Sequence, residues 1–328
     1  MAAPTLPPRV VTCEARFAEQ QALDLLRQRA TNTVLQCTTQ AMTISDALNR
    51  IDTLFCDLDG TLISEGSTAF PHRLIAYLDR FKRLGLSIIF VSGRPYAEIE
   101  PLVTSLPAGF AAKIVYEKGA YQLRLGQNKP NKPEFLLGSD DIEQQAAITR
   151  SDFLIWQRST EEMYKAQGVR FGWAGTGTQK IVLSVDVFAG HVPDNYLSLI
   201  GRQRDALKLR DGGLLETIKA ELELFANTHC PGWQVISLGN GNFEIAPPDV
   251  EKNKAILQTP EFQRASGVLI LGDSGNDQQM FTLKDETKTR TGLVLHNPAV
   301  ASLVSEVDFV TFGLANPYPL FDILLSVI

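Results

Sequence analysis

The chain reads as an α/β protein: a doubly wound parallel core interrupted by an inserted α+β domain. Two observations predict this. Short apolar runs alternate with helical patterns over residues 51–120 and again over 248–328, and continuous apolar strands separated by helices indicate a parallel sheet covered on both faces. Between them, residues 121–247 hold longer helices and strands of period-two character joined by a hairpin signal, which is the pattern of a separate domain.

Residues 1–12 carry three prolines and read as a loose arm. Residues 14–29, EARFAEQQALDLLRQR, are rich in helix formers and read as one amphipathic helix, docked on the main domain or on a partner. Residues 1–50 are therefore expected to form an N-terminal extension. From residue 51, TLFCDL reads as a buried strand and FPHRLIAYLDRFKRLG as a helix closed by Gly85. LSIIFVSG, PYAEIEPLVTSL and AKIVYE follow as strand, helix and strand. In the insertion, a long polar helix is expected around 141–166, then the strand KIVLSVDVF, a helix at 213–228, and WQVISLGNGNFEIAP with Asn240-Gly241 at a hairpin turn. The core resumes near 248, with GVLILGD as a strand, NDQQMFTLK opening a helix, and GLVLH and VDFVTF as two more strands.

The 328 residues suggest two domains, and 44% hydrophobic with 21% charged residues fits a globular chain with a sizeable core. A formal charge of −6 argues against the broad cationic footprint of nucleic-acid binding but leaves room for one local cationic pocket. Cys13, Cys37, Cys56 and Cys230 form no C-x-x-C pair, so neither a zinc site nor a disulfide framework is indicated. The N-terminus lacks the apolar core of a signal peptide, and no stretch approaches a membrane span. A cytoplasmic protein without membrane attachment is the expectation. His72, His191, His229 and His296 are too scattered for a metal site.

The chemistry gathers at strand ends, where open α/β sheets bind ligands. Asp57-Leu58-Asp59-Gly60-Thr61 follows the first core strand. A carboxylate at Asp57 can attack phosphorus and become an acyl phosphate. Asp59 is then placed to protonate the leaving oxygen and later to deprotonate water. Gly60 allows a tight turn that brings backbone amides to the phosphate. A calcium-type loop or an ordinary turn is the bland alternative, and apolar residues before the motif with a long helix after it argue against that.

DLDGTL resembles the first signature of the haloacid dehalogenase-like superfamily of phosphotransferases, in which three further motifs follow in order. Val91-Ser92-Gly93-Arg94-Pro95 matches the second, and the resemblance implies that Ser92 and the neighbouring Gly93 amide hold phosphate, with Arg94 a candidate substrate contact. The third lies in Glu251-Lys252-Asn253-Lys254-Ala255-Ile256, where the register selects Lys252 over Lys254. The fourth is Gly272-Asp273-Ser274-Gly275-Asn276-Asp277. There the resemblance implies magnesium held by Asp57, the main-chain carbonyl of Asp59 and Asp273, with Asp277 supporting them and Asn276 orienting the phosphate site. The spacings are 35 residues from Asp57 to Ser92, 160 from Ser92 to Lys252 and 21 from Lys252 to Asp273, so the insertion falls between the second and third motifs.

That arrangement resembles the subfamily with an α/β cap on a Rossmann-like core, which includes trehalose phosphate, sucrose phosphate and Cof-type sugar phosphatases and also phosphomannomutases. It implies a magnesium-dependent phosphatase acting on a small phosphorylated metabolite, most simply a sugar phosphate. A phosphomutase on the same fold and a catalytically idle binding protein are the alternatives. Lys180 matches a cap lysine of these relatives, as a substrate contact or else as an edge-strand lysine facing water. Gly175-Thr176-Gly177-Thr178 reads as a flexible loop between strands, with an anion cradle as the alternative. Glu117-Lys118-Gly119-Ala120 departs from the family pattern, which often has Asn before the glycine. Oligomeric state is not legible.

Overall fold

The computed structural model describes residues 7–12, 15–29, 31–37, 43–107, 110, 112–125, 132–175, 178–187, 212–239, 241–285 and 288–328. Its strands, in chain order, are β1 (Arg9–Thr12), β2 (Thr33–Gln36), β3 (Thr53–Asp57), β4 (Ser87–Val91), β5 (Ala112–Tyr116), β6 (Tyr121–Leu125), β7 (Glu134–Phe135), β8 (Val169–Gly175), β9 (Ile181–Val187), β10 (Gln234–Gly239), β11 (Asn242–Ala246), β12 (Val268–Gly272), β13 (Thr289–Leu295) and β14 (Phe309–Phe312). The α-helices are α1 (Ala15–Arg27), α2 (Ile44–Leu48), α3 (His72–Arg83), α4 (Tyr96–Thr104), α5 (Asp140–Tyr164), α6 (Gly212–His229), α7 (Lys252–Gln258), α8 (Pro260–Arg264), α9 (Gln278–Phe281) and α10 (Tyr318–Val327). They divide into two units, one of Met1–Leu137 with Glu251–Ile328 and one of Gly138–Val250.

The larger unit is built on a sheet ordered β1-β2-β14-β13-β12-β3-β4-β5-β6-β7. From β14 to β5 every neighbouring pair is parallel. The doubly wound core follows from the strand compositions: TLFCD of β3 and VLILG of β12 are buried at every position, as strands covered on both faces must be. Helix α3 buries Leu74, Leu78 and Phe81, spaced by four and three residues, and ends ahead of Gly85 at φ +84°. Under β3, β4 and β12, a cluster of Phe55, Ile89, Val91, Ile256, Phe262, Ile270 and Met280 ties α7, α8 and α9 to one face. Each such side chain contributes about 1.5–3 kcal/mol by leaving water. The chain runs β3-β4-β5 in one direction and resumes at β12 on the other side of β3, so the strand order reverses between β3 and β12.

Two expectations change here. The described residues of the first fifty do not stand apart as an extension: β1, from the expected loose arm, pairs parallel to β2, β2 pairs antiparallel to β14, and both join the main sheet. The reason is burial, since every residue of Thr33-Val34-Leu35-Gln36 is covered. Helix α1 packs Ala18 and Ala22 against Leu293, Leu295 and Phe312, so it docks on the main unit. Second, residues 121–137 belong to the larger unit rather than to the insertion. Tyr121–Leu125 pairs antiparallel with β5 and stacks the Tyr121 ring between Tyr116 and Phe135.

The smaller unit is a four-stranded antiparallel sheet ordered β10-β11-β9-β8. Phe153 of α5 and Ile218, Leu222 and Phe225 of α6 pack with Phe171, Ile181, Leu183, Val185, Phe243 and Ile245. The β10–β11 hairpin turns through Gly241 at φ +77°, where a Cβ would lie 2.2 Å from the Val185 carbonyl oxygen, and only glycine fits. Asn240 and His191, and Thr176 and Gly177 of the 175–178 stretch, lie outside the described residues. Among the described residues no helix is long and apolar enough to cross a membrane.

Candidate active site

Strand register assembles the site. Asp57, the last residue of β3, is level with Val91 of β4, so Ser92 follows directly beside it. On the other side Cys56 is level with Leu271 of β12, which brings Asp273 just beyond the same sheet end. The first, second and fourth motifs therefore meet at the carboxyl ends of β3, β4 and β12, where the strand order reverses.

At the centre lies Lys252, the first residue of α7. Its buried Nζ donates to Asp57 Oδ1 and to Asp277 Oδ1, each at 2.6 Å. Burial alone would lower the ammonium pKa, but the Asp277 and Asp57 carboxylates reverse the effect and raise it. Lys254, two residues on, is half-exposed and its Nζ faces Glu251 at 3.6 Å. The structure thus brings Lys252 and not Lys254 into the cluster.

Burial first, then the Asp277 charge, hold the Asp57 carboxyl well above the usual carboxylate range, with Lys252 opposing them. Asp273 is raised chiefly by burial, and a hydrogen bond from His296 opposes the shift. Asp57, Asp273 and Asp277 each present a carboxylate oxygen within 4.8 Å of the others. Three buried carboxylates against one ammonium leave an excess of negative charge that a cation would relieve. The donors are all oxygens, which suits a hard divalent ion. The residues present fit such a metal. Asp277 is the most committed of the three, because its Oδ2 accepts from the Asp273 and Ser274 amides at 3.0 and 3.2 Å and from the Ser274 hydroxyl. It shapes the turn Gly275–Asp277 on which half-buried Asn276 also sits.

Asp59 takes a different position. Its two oxygens accept from Arg94 Nε at 2.7 Å and Nη2 at 2.5 Å, a bidentate pair, while Arg94 Nη1 donates to the Ser67 carbonyl. Arg94, expected to touch substrate, is occupied with Asp59. Ser92 is buried beside Gly93, and its hydroxyl accepts from the Arg94 amide at 3.1 Å. The departing segment Glu117-Lys118-Gly119 buttresses this motif: the Glu117 and Lys118 amides donate to the Arg94 and Ser92 carbonyls. Both residues hold positive φ, 48° and 57°, a strained conformation of the kind that gathers at functional sites.

In the smaller unit Lys180 is buried at the start of β9, an interior strand, and its Nζ donates to Glu244 Oε2 at 3.0 Å. It is not an edge lysine facing water. Cys56 is buried with its thiol pKa raised by burial and by Asp57, as a small apolar residue should be.

Sequence reasoning passed over two residues here. The Thr61 hydroxyl donates to Asp273 Oδ1 at 3.1 Å. His296, dismissed among scattered histidines, places Nε2 2.9 Å from Asp273 Oδ2. Its signal was position: it directly follows β13, at the same sheet end as the motifs.

An acidic, lysine-bridged site at the reversal point of a doubly wound sheet is the mark of an α/β enzyme. Residues 54–287 match the model of the haloacid dehalogenase-like hydrolase family, and the chain belongs to that family. The fold is similar to the C-terminal domain of trehalose-6-phosphate phosphatase from C. albicans, with TM-score 0.56, 16% identity, and 89% of this chain and 100% of that one covered. It is also similar to a haloacid dehalogenase-like hydrolase from B. subtilis, with TM-score 0.52, 15% identity and coverage of 85% and 100%. A phosphatase of the same superfamily from Bacteroides thetaiotaomicron gives 0.50, 16%, 85% and 97%. At these identities the likeness is one of fold. No curated protein matches the chain.

Proposed function

We propose that the protein is a magnesium-dependent phosphatase that hydrolyses a small phosphorylated metabolite, a sugar phosphate in the first instance, through an aspartyl phosphate on Asp57. The observation that carries this reading is the buried Asp57–Lys252–Asp277 bridge beside Asp273, with all three carboxylate oxygens within 4.8 Å. Asp57 and Asp273 would hold the magnesium with the Asp59 main-chain carbonyl, and Asp277 would support them. When bound, it supplies the positive charge that lets a phosphate dianion approach a carboxylate.

The chain's own residues supply the rest. Lys252 and the Ser92 hydroxyl, with the Gly93 amide and Asn276, hold the phosphoryl oxygens. Asp57 attacks phosphorus, the bond to the substrate oxygen breaks, and Asp59 gives that oxygen its proton. Asp59 then takes a proton from water, which attacks the acyl phosphate, so that inorganic phosphate leaves and Asp57 is restored. Arg94 is proposed to orient Asp59. The smaller unit is proposed to set selectivity, with Lys180 its candidate substrate contact. A cytoplasmic setting is part of the same proposal, and the buried Cys56 and Cys230 thiols are in keeping with it.

The test is a screen of phosphorylated metabolites with magnesium, followed by phosphorus NMR. Free phosphate should appear in step with substrate loss. Conversion to an isomer with negligible inorganic phosphate would replace hydrolysis by phosphoryl transfer within the sugar.

A further inference from the structure

The Asp273 carboxylate is held from two sides. Oδ1 accepts from the Thr61 hydroxyl at 3.1 Å and Oδ2 lies 2.9 Å from His296 Nε2. A carboxylate only accepts, so the imidazole donates through Nε2–H. Thr61 comes from the turn after β3 and His296 from the turn after β13, so two separate elements fix one side chain. Gly60 leaves the room for this. A Cβ there would lie 2.1 Å from Asp273 Oδ2 and 2.9 Å from His296 Nε2, and the residue holds φ +80°. The glycine of the first motif thus serves the fourth, clearing the space in which Asp273 and His296 meet.

We propose that His296 is a positioning residue for the metal site, fixing the Asp273 carboxylate by an Nε2–H donor so that its remaining lone pairs are aimed at the cation. The proposal rests on the reading of Asp273 as a metal ligand. His296 is not itself a ligand: its Nε2 is engaged with Asp273, and the oxygens that converge are those of Asp57, Asp273 and Asp277. A free carboxylate must give up rotamer freedom when it takes a metal, and one already clamped on both oxygens has given it up in folding. Partners that orient a ligand in this way are worth about 10- to 100-fold in metal affinity. The side chain is about a quarter exposed, so its loss should leave the fold intact.

The test is binding of Mn2+ alone to the full chain, followed by electron paramagnetic resonance, with Mg2+ measured by competition. H296A should bind about 10- to 100-fold more weakly than the parent. H296Q, whose amide nitrogen can reach where Nε2 stood, should recover most of the loss. D273N should abolish binding, and thermal melting in chelator should differ little between parent and H296A. Parent-like affinity in H296A overturns the proposal and leaves the metal site standing. Equal weakness of H296A and H296Q overturns the donor role. Absence of Mn2+ binding by the parent overturns the metal reading itself, and the proposal with it.

Discussion

Replacing Lys252 with methionine keeps the bulk of the side chain and removes its charge. Lys252, Asp57 and Asp277 have side chains only 4%, 7% and 1% exposed, so water cannot replace the lost ammonium. Breaking a buried pair by removing one partner costs about 3–5 kcal/mol, because the carboxylates remain buried and repel each other. At 1.4 kcal/mol per factor of ten, the folding equilibrium should fall by roughly 10²- to 10³·⁵-fold. Urea unfolding in chelator measures this. Circular dichroism is the probe, since it follows the sheet and helices of the larger unit directly. A second substitution, Asp277→Asn, should recover most of the lost stability. It removes one of the stranded charges, while the amide oxygen can still cap the Asp273 and Ser274 N–H groups. Activity should stay lost in both variants. A loss below about 1 kcal/mol for Lys252→Met, or a double variant less stable than the single one, refutes the charge accounting.

Asp57→Asn should abolish phosphate release with an unchanged circular dichroism spectrum, since an amide cannot attack phosphorus. Chelator should abolish activity and magnesium restore it, while calcium should not, because its looser coordination misplaces the nucleophile. Lys254→Ala should leave the rate near that of the parent, and a loss comparable to Lys252→Ala would show the wrong lysine was chosen. Arg94→Ala should lower kcat more than it raises KM, and Arg94→Ala in an Asp59→Asn background should cost nothing further. Multiplicative losses in that cycle would mean that Arg94 contacts substrate independently of Asp59.

The core strands and the first, second and fourth motifs were legible because each of these motifs breaks an apolar run at a strand end. DLDGTL after TLFC and GDSGND after VLI announce themselves by contrast. Weak local signals were read less well. Val34 and Leu35 form too short a run to suggest a strand, and pairing with β1 and β14 makes them one. Residues 121–125 carry the period-two pattern that elsewhere marks the insertion, yet their partner is β5. Side-chain pairings were least visible. Arg94 with Asp59, Lys180 with Glu244 and His296 with Asp273 lie 35, 64 and 23 residues apart, and nothing local in the sequence names either partner. Lys252 was legible because the order of motifs constrained it from outside.

The placement of β2 and β12 in the main sheet has a consequence for how the chain is made. Of the two sheet neighbours of strand β3, β4 follows directly, but β12 follows only after the whole smaller unit, and Val34 of β2 waits for Thr311. Contacts this distant in sequence close slowly. The strands of the smaller unit, by contrast, pair among residues 169–246. The topology therefore lets the smaller unit complete its pairing while β3 still carries an open, apolar flank. Asp57 sits at the tip of that flank, so it meets Asp273 and Asp277 only after the smaller unit has been made.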